Sequence, residues 1–158
     1  IADKTRHKAG WGAMLSGNLS PSSKLIFYYQ FAYGKGIGNY IQDIAGKPIS
    51  FVPRDSDPGR MSASPMTGLN LGVSYNPTSK LQFNAMFSEA RIWDVGEYCN
   101  SLPEDQNYKY ALYGAVNCFY TINSYLQWGI EYLWGHRETW NAGGAHDNRI
   151  QTQLSFTF

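Results

Sequence analysis

The chain has 158 residues, of which 16% are aromatic and only 16% are charged, and its formal net charge is +1. An ordinary soluble domain carries roughly 25% charged residues, so this chain has an unusually small supply of surface charge. The near-neutral balance, with no basic run, argues against a nucleic-acid-binding surface. No apolar stretch approaches the roughly 20 residues of a membrane helix, so any membrane role would depend on strands.

Apolar and polar residues alternate with a period of two along seven segments, which is the pattern of strands with two different faces. The last segment alternates from Arg149 to the terminal Phe158 without a break. In the fourth, Glu89 and Arg91 fall on the apolar parity, which predicts either that the strand has left the membrane there or that a bulge changes its register. The predicted strands are 11–19, 25–33, 67–75, one starting at 81, 108–120, one starting at 126, and 149–158.

The connections between these strands alternate between short and long. Turns of about four residues are predicted at 20–23, 76–79 and 121–124, and long outside loops at about 34–65, 94–106 and 138–147. Short turns on one side and longer loops on the other are typical of outer-membrane barrels. The sequence therefore predicts an all-β fold, a transmembrane antiparallel β-barrel with about seven strands. Because bacterial barrels normally have an even number, we expect residues 1–158 to be the C-terminal portion of a larger barrel.

Aromatic residues occur near both ends of the predicted strands. Amphipathic rings at two levels are what the two membrane interfaces favour. The predicted interface aromatics are Tyr75, Tyr120 and Phe158 at the rim with the short turns, and Trp11, Tyr33, Tyr110 and Trp134 at the rim with the long loops.

Two stretches of the sequence resemble a known family. They are 34–43 (GKGIGNYIQD) and the closing block from 131–138 (EYLWGHRE) through 147–151 (DNRIQ) to the terminal Phe158. Both are similar to the DcaP-like porins of Gram-negative outer membranes. The resemblance implies a trimeric diffusion channel in the cell outer membrane for small, often anionic, solutes. It also implies that the outer-membrane assembly machinery recognises the C-terminal strand through Phe158.

A channel selects solutes by its width and by the charged side chains that line it. The inward parity predicts the pore-lining candidates Lys109, Glu131, Arg137 and Arg149. Arg137 and Arg149 lie on neighbouring strands, so they could form a basic patch that attracts carboxylates. The alternative is that Glu131 pairs with a neighbouring arginine and only satisfies a charge in the wall. Arg54 and Arg60 are constriction candidates if the long loop folds inward.

Other functional classes find less support in the sequence. The three histidines lack metal-ligand spacing and no nucleophile stands beside a plausible base, so we expect no enzyme activity, metal or cofactor. Cys99 and Cys118 are expected to be free thiols, because their predicted separation exceeds disulfide reach. Two alternatives stay open: a barrel that serves as an anchor or adhesin through its outside loops, and a soluble β-sandwich that binds a partner.

Overall fold

A computed structural model describes residues 7–47, 49–54, 57–103 and 107–158, without the side chains of 57–59, 99 and 100. Over these residues the protein is all-β, and its helical content consists of 3-10 segments at Gly38–Tyr40 and Gly96–Ser101. No helix in this part of the chain has the length and apolar character needed to cross a membrane. The strands are β1 (Trp11–Ser22), β2 (Leu25–Lys35), β3 (Phe51–Arg54), β4 (Asp57–Ala63), β5 (Pro65–Tyr75), β6 (Leu81–Ile92), β7 (Tyr108–Asn123), β8 (Leu126–Thr139) and β9 (Gly143–Phe156).

Seven of these strands form one antiparallel sheet in the order β1-β2-β5-β6-β7-β8-β9. The remaining two, β3 and β4, form a separate hairpin inserted between β2 and β5. Each strand of the large sheet therefore pairs with the next one along the chain once the hairpin is set aside. Within the described residues, β1 and β9 are the two edges of this sheet. The predicted seven antiparallel strands are confirmed.

The sheet has two chemically different faces, because antiparallel partners lie on the same side of a sheet. What we call the apolar face is the side that carries Leu15, Phe31, Leu71, Val116 and Ile130 at its centre. Leu71, Trp128, Leu154 and Phe156 on this face are 47%, 40%, 55% and 64% exposed. Among the described residues no second layer covers them. The opposite side, which we call the polar face, carries mainly amides, hydroxyls and small residues.

The register of β6 shows whether a bulge changes the face on which Glu89 and Arg91 lie. The pairings of β6 with β5 and with β7 run without a shift, so Glu89 and Arg91 stay on the apolar face, near its end. The two side chains form an ion pair with each other. The guanidinium of Arg91 also lies 4.4 Å from the ring centre of Tyr110. No bulge occurs in β6, and the charges occur where the apolar stretch of the strand stops.

Connections at the two ends of the sheet differ in length. At one end, residues 23–24, 76–80 and 124–125 join the strands, and at the other end residues 36–64, 93–107 and 140–142 do so. The third long loop predicted at 138–147 is wrong, since β8 continues to Thr139 and β9 begins at Gly143. Gly143 adopts a positive φ of 80°. Thr139 closes the turn by donating its hydroxyl proton to the carbonyl of Gly143 and accepting the N–H of Ala142.

The described residues of the segment 36–64 fold back over the polar face instead of extending away from the sheet. Its isoleucines are buried against Met66, Ala90 and Ile92, which belong to the polar face at the ends of β5 and β6. The core residues are Ile37, Ile41, Ile44, Ile49, Val52, Met66, Ala90, Ile92, Val95 and Tyr108. The sequence analysis predicted a long outside loop at about 34–65. A two-stranded hairpin tolerates Pro53, since such a hairpin has two open edges.

Candidate functional site

Side-chain amides on the polar face are linked by hydrogen bonds across several strands. Gln82 on β6 donates to Ser74 at 3.1 Å and to the side-chain oxygen of Asn84 at 3.2 Å. Asn84 donates to Asn117 at 2.7 Å, and Asn117 donates to Glu131 at 3.0 Å. We call this set the amide row. Most of its members occupy one cross-strand level, because Ser74 pairs with Asn84, Asn84 with Asn117, and Asn117 with Glu131.

Glu131 lies where the amide row meets the last strand. One carboxylate oxygen accepts from Asn117, and the other accepts from the side-chain amide of Gln151 on β9 at 2.5 Å. The sequence had offered an arginine as the alternative partner of this carboxylate. The structure instead satisfies the Glu131 side chain with two neutral amides.

Arg137 and Arg149 both belong to the polar face, where they occupy different levels of neighbouring strands. Arg137 pairs with Ala145 and Arg149 pairs with Leu133, which leaves them four residues apart along the strands. At roughly 3.3 Å per residue this is about 13 Å, with Asp147 between them on the same face of β9. The guanidinium of Arg137 lies 5.9 Å from the ring centre of Tyr108, at the loop end of the sheet. The basic-patch hypothesis therefore stays a prediction.

Lys109 occupies a different place from the one its parity predicts. The pairing of β7 with β8 slips between Tyr108 and Tyr110, so Lys109 is the extra residue of a bulge. Its ammonium lies 2.7 Å from Glu138, whose other oxygen accepts from the hydroxyl of Tyr110 at 2.6 Å. Glu138 is the cross-strand partner of Tyr110 at the loop end of the apolar face. Lys109 therefore belongs to that rim and not to the centre of the polar face.

The environment of Glu138 keeps its carboxylate ionised. The hydrogen bond from Lys109, together with the one from Tyr110, lowers the pKa of Glu138 from 4.5 to about 2. Lys109 also lies over the ring of Trp140, with 5.4 Å between its ammonium and the ring centre. The rim thus consists of paired charges stacked on aromatic rings, beyond the end of the apolar stretch.

The predicted interface aromatics lie toward opposite ends of the apolar face. Tyr75 and Tyr120 are near the short turns, with 46% and 43% exposure. Trp11 and Tyr33 are near the longer connections, with ring centres 5.7 Å apart. Tyr110 and Trp134 both neighbour the ring of His136, and Phe158 follows the end of β9 and is fully exposed. The two-level arrangement in the sequence is therefore also present in space.

Arg54 and Arg60, the constriction candidates, lie on the β3–β4 hairpin and are exposed. The hairpin packs beside the 3-10 segment that begins at Gly96, away from the amide row. The part of the long segment that borders the open space over the polar face is 40–43. Together with Gln30, Asn70 and Tyr113 of the sheet, it encloses a cleft of about 700 Å³.

Apart from Glu131, the members of the amide row and the segment 40–43 were not among the candidates that the sequence suggested. A signal for the row was present, because asparagine and glutamine recur on the inward parity of five predicted strands, at Gln30, Asn70, Gln82, Asn117 and Gln127. The candidates were chosen by charge, so neutral side chains were passed over. No comparable signal places 40–43 against the sheet, since that contact depends on how the long segment folds.

Other kinds of chemistry have little basis in the described residues. No group of three His, Cys, Asp or Glu side chains gathers there in a way that could hold a metal ion. Cys118 is a free thiol, and the side chain of Cys99 lies outside the described residues. Comparisons of the chain with protein-family models, with curated proteins and with solved structures found no match.

Proposed function

We propose that this sheet is part of the wall of a transmembrane β-barrel in the outer membrane of a Gram-negative bacterium. In this proposal the apolar face contacts lipid and the polar face lines a water-filled channel for passive diffusion of small hydrophilic solutes. The observation that carries the proposal is the contrast between the faces: Leu71 and Val116 are about half exposed on one side, and the amide row occupies the other.

The dimensions of the apolar face support this assignment. A membrane-spanning strand needs about 9–11 residues. On β2 the apolar side runs from Leu25 to Tyr33, and Lys35 follows it. On β8 it runs from Leu126 to Trp134, followed by His136 and Glu138. We therefore assign the apolar stretches to the membrane, and the rim that contains Lys109 and Glu138 to the aqueous side beyond it.

The long segment favours a channel over an anchor or adhesin. Ile41, Ile44 and Ile49 fix it on the polar face, so it lies across the proposed interior instead of projecting outward to meet a partner. This packing also agrees with the general use of long loops in functional sites. The sequence resemblance to DcaP-like porins and the preference for anions that it implies remain part of the proposal, with Arg137 and Arg149 acting separately.

Closure of the barrel requires strands beyond those of the described sheet, because β1 and β9 each have one unpaired edge there. We propose that they come from the rest of a larger barrel, and that the complete channel forms trimers whose assembly depends on the C-terminal strand. Chemical cross-linking in native membranes tests this. Trimer bands that disappear when Phe158 is deleted are expected, whereas monomers alone would contradict the oligomer.

The direct test of function is reconstitution, in planar bilayers and in liposomes, of the complete protein that includes the proposed further strands, which we call the full chain. We expect the chain to require detergent or lipid, to produce conductance steps, and to let small sugars and amino acids cross the liposome membrane. A monodisperse protein in detergent-free buffer, with no conductance above that of a protein-free bilayer, would contradict the proposal. Removal of residues 50–64 separates the alternatives, since a channel retains conductance while an adhesin loses binding to its partner.

A further inference from the structure

The cleft between the segment 40–43 and the sheet has a size suited to a small organic solute. Its volume is about 700 Å³, within the roughly 300–1,000 Å³ of ordinary ligand sites. One wall is the polar face of the sheet, with Gln30, Asn70, Ser88 and Tyr113, and the other is the segment that carries Tyr40 and Asp43. The cleft is separate from the amide row, which lies nearer the short turns.

The charge around this cleft is unfavourable to anions. Lys, Arg and His are absent from the described residues that line it. Asp43 contributes a carboxylate, and the other acidic neighbour, Glu89, is on the apolar face, where its carboxylate pairs with Arg91. A negatively charged solute in the cleft would therefore contact the carboxylate of Asp43 and no cation of the lining, because the nearby Lys47 and Arg137 lie over the ring of Tyr108, outside the lining.

The neutral polar groups of the cleft keep spare hydrogen-bonding capacity. Asn70 donates to the side-chain oxygen of Gln30 at 3.2 Å, and Gln30 contacts the sulfur of Met14 at 3.2 Å. A primary amide has two N–H donors and an oxygen with two lone pairs. These contacts leave the oxygen of Asn70 and one N–H of each amide available. Both amides are exposed and can donate to a solute as well as accept from it.

Flat and apolar surfaces lie beside these amides. Tyr40 is 88% exposed, and Tyr113, Met14 and Met86 are 38%, 65% and 43% exposed. These side chains present carbon surface to a solute in the cleft. Aromatic faces carry partial negative charge and attract the slightly positive hydrogens of C–H groups.

The geometry points to a binding site for a neutral polyhydroxylated solute, such as a sugar, in the cleft between 40–43 and the sheet. Hydroxyl groups both donate and accept, which matches the two amides and Asp43, and the C–H face of a sugar ring matches Tyr40 and Tyr113. This inference rests on the proposed function and narrows it, because the cleft would retard and select neutral solutes in a channel whose arginines lie elsewhere.

The test uses the full chain in detergent micelles, titrated with glucose, glucuronate and glucosamine and followed by protein-observed NMR. These probes share one ring and differ in charge. We expect glucose to bind, glucuronate to bind at least several-fold more weakly, and Asn70→Ala to weaken glucose binding roughly two- to tenfold, as loss of a hydrogen bond predicts. Asn18→Ala is the matched control, because Asn18 is an exposed asparagine of β1 on the polar face that does not line the cleft.

Glucuronate that binds as tightly as glucose would overturn the inference. So would binding of glucosamine alone that is lost in Asp43→Asn, since that pattern identifies a cation site. Equal effects of Asn70→Ala and Asn18→Ala would also overturn it. Conductance in bilayers separates this inference from the channel itself: conductance without glucose binding refutes the cleft site, and glucose binding in micelles without conductance refutes the channel.

Discussion

Two arginine substitutions at similar depth on opposite faces provide a sharp test of the membrane assignment. Leu71 on β5 is 47% exposed on the apolar face, and Met86 on β6 is 43% exposed on the polar face. Leu71 pairs with Phe87, and Met86 pairs with Gly72, so the two positions are one register step apart. They are matched in exposure and in apolar character, and they differ in the solvent that we assign to them.

If the apolar face contacts hydrocarbon, Leu71→Arg places a cation near the middle of the bilayer. The cost of a lipid-facing arginine there is about 2–4 kcal/mol, and it falls toward zero at the interfaces. Met86→Arg places the same charge in water, where a surface substitution changes the free energy of unfolding by about 0.5 kcal/mol. In a sheet with water on both sides, the two variants should behave alike.

The assay is denaturant unfolding of the full chain in phosphatidylcholine vesicles, followed by tryptophan fluorescence. We expect the free energy of unfolding to fall by about 2–4 kcal/mol for Leu71→Arg and by less than about 1 kcal/mol for Met86→Arg. Losses that agree within about 0.5 kcal/mol, or a larger loss for Met86→Arg, would refute the assignment of the apolar face to lipid.

Three further predictions concern charge, turn geometry and pH. Arg149→Gln should shift the reversal potential of the channel toward cation selectivity. Arg54→Gln on the β3–β4 hairpin is the control and should leave the reversal potential unchanged. Equal shifts in the two variants would exclude a local effect of Arg149. Gly143→Ala should destabilise the fold by about 1 kcal/mol in denaturant unfolding, because φ is positive at this position. Gly135→Ala is the control and should be nearly neutral. Both sites have room for a methyl group, and only Gly143 has the unusual backbone conformation. The pKa of Glu138 is lowered from 4.5 to about 2. The contribution of its ionised carboxylate to stability is therefore fully present above pH 4.5 and is lost only as the pH falls through about 2. Carboxyl NMR that shows protonation of Glu138 near pH 4.5 would contradict this.

The residues on each face of the sheet could be predicted from the sequence, because the alternation of apolar and polar residues fixes which side chains share a face. A slip of one residue in β2 would exchange Phe27 and Phe31 for Tyr28 and Gln30 on the apolar face. The same reasoning holds for β8, where Trp128 and Ile130 alternate with Gln127 and Gly129. Strand existence and orientation are local properties of such segments, so a single sequence is enough to assign them.

Relations between strands were harder to predict. Whether Arg137 and Arg149 lie at the same level of the sheet depends on the length of the turn at 140–142. The glycines at 143 and 144 are typical of loops, so the sequence analysis predicted a longer connection there. The orientation of the Lys109 side chain depends on a bulge, and no residue type in the sequence predicts this bulge. The position of 40–43 depends on burial of isoleucines against Met66, a contact between segments far apart in the chain. Each miss concerns register or long-range packing.

The hydrogen bonds of the amide row that lead from Gln82 through the asparagines to Glu131 share one direction. Gln82 donates to Asn84, Asn84 to Asn117 and Asn117 to Glu131, while Gln151 donates to Glu131 from the other side. A carboxylate only accepts, so Glu131 obliges every amide to turn its N–H toward it. One ionised group thereby sets the dipole orientation of side chains two strands away. With glutamine in its place, the row would keep its shape and lose the polarity that now distinguishes its two ends.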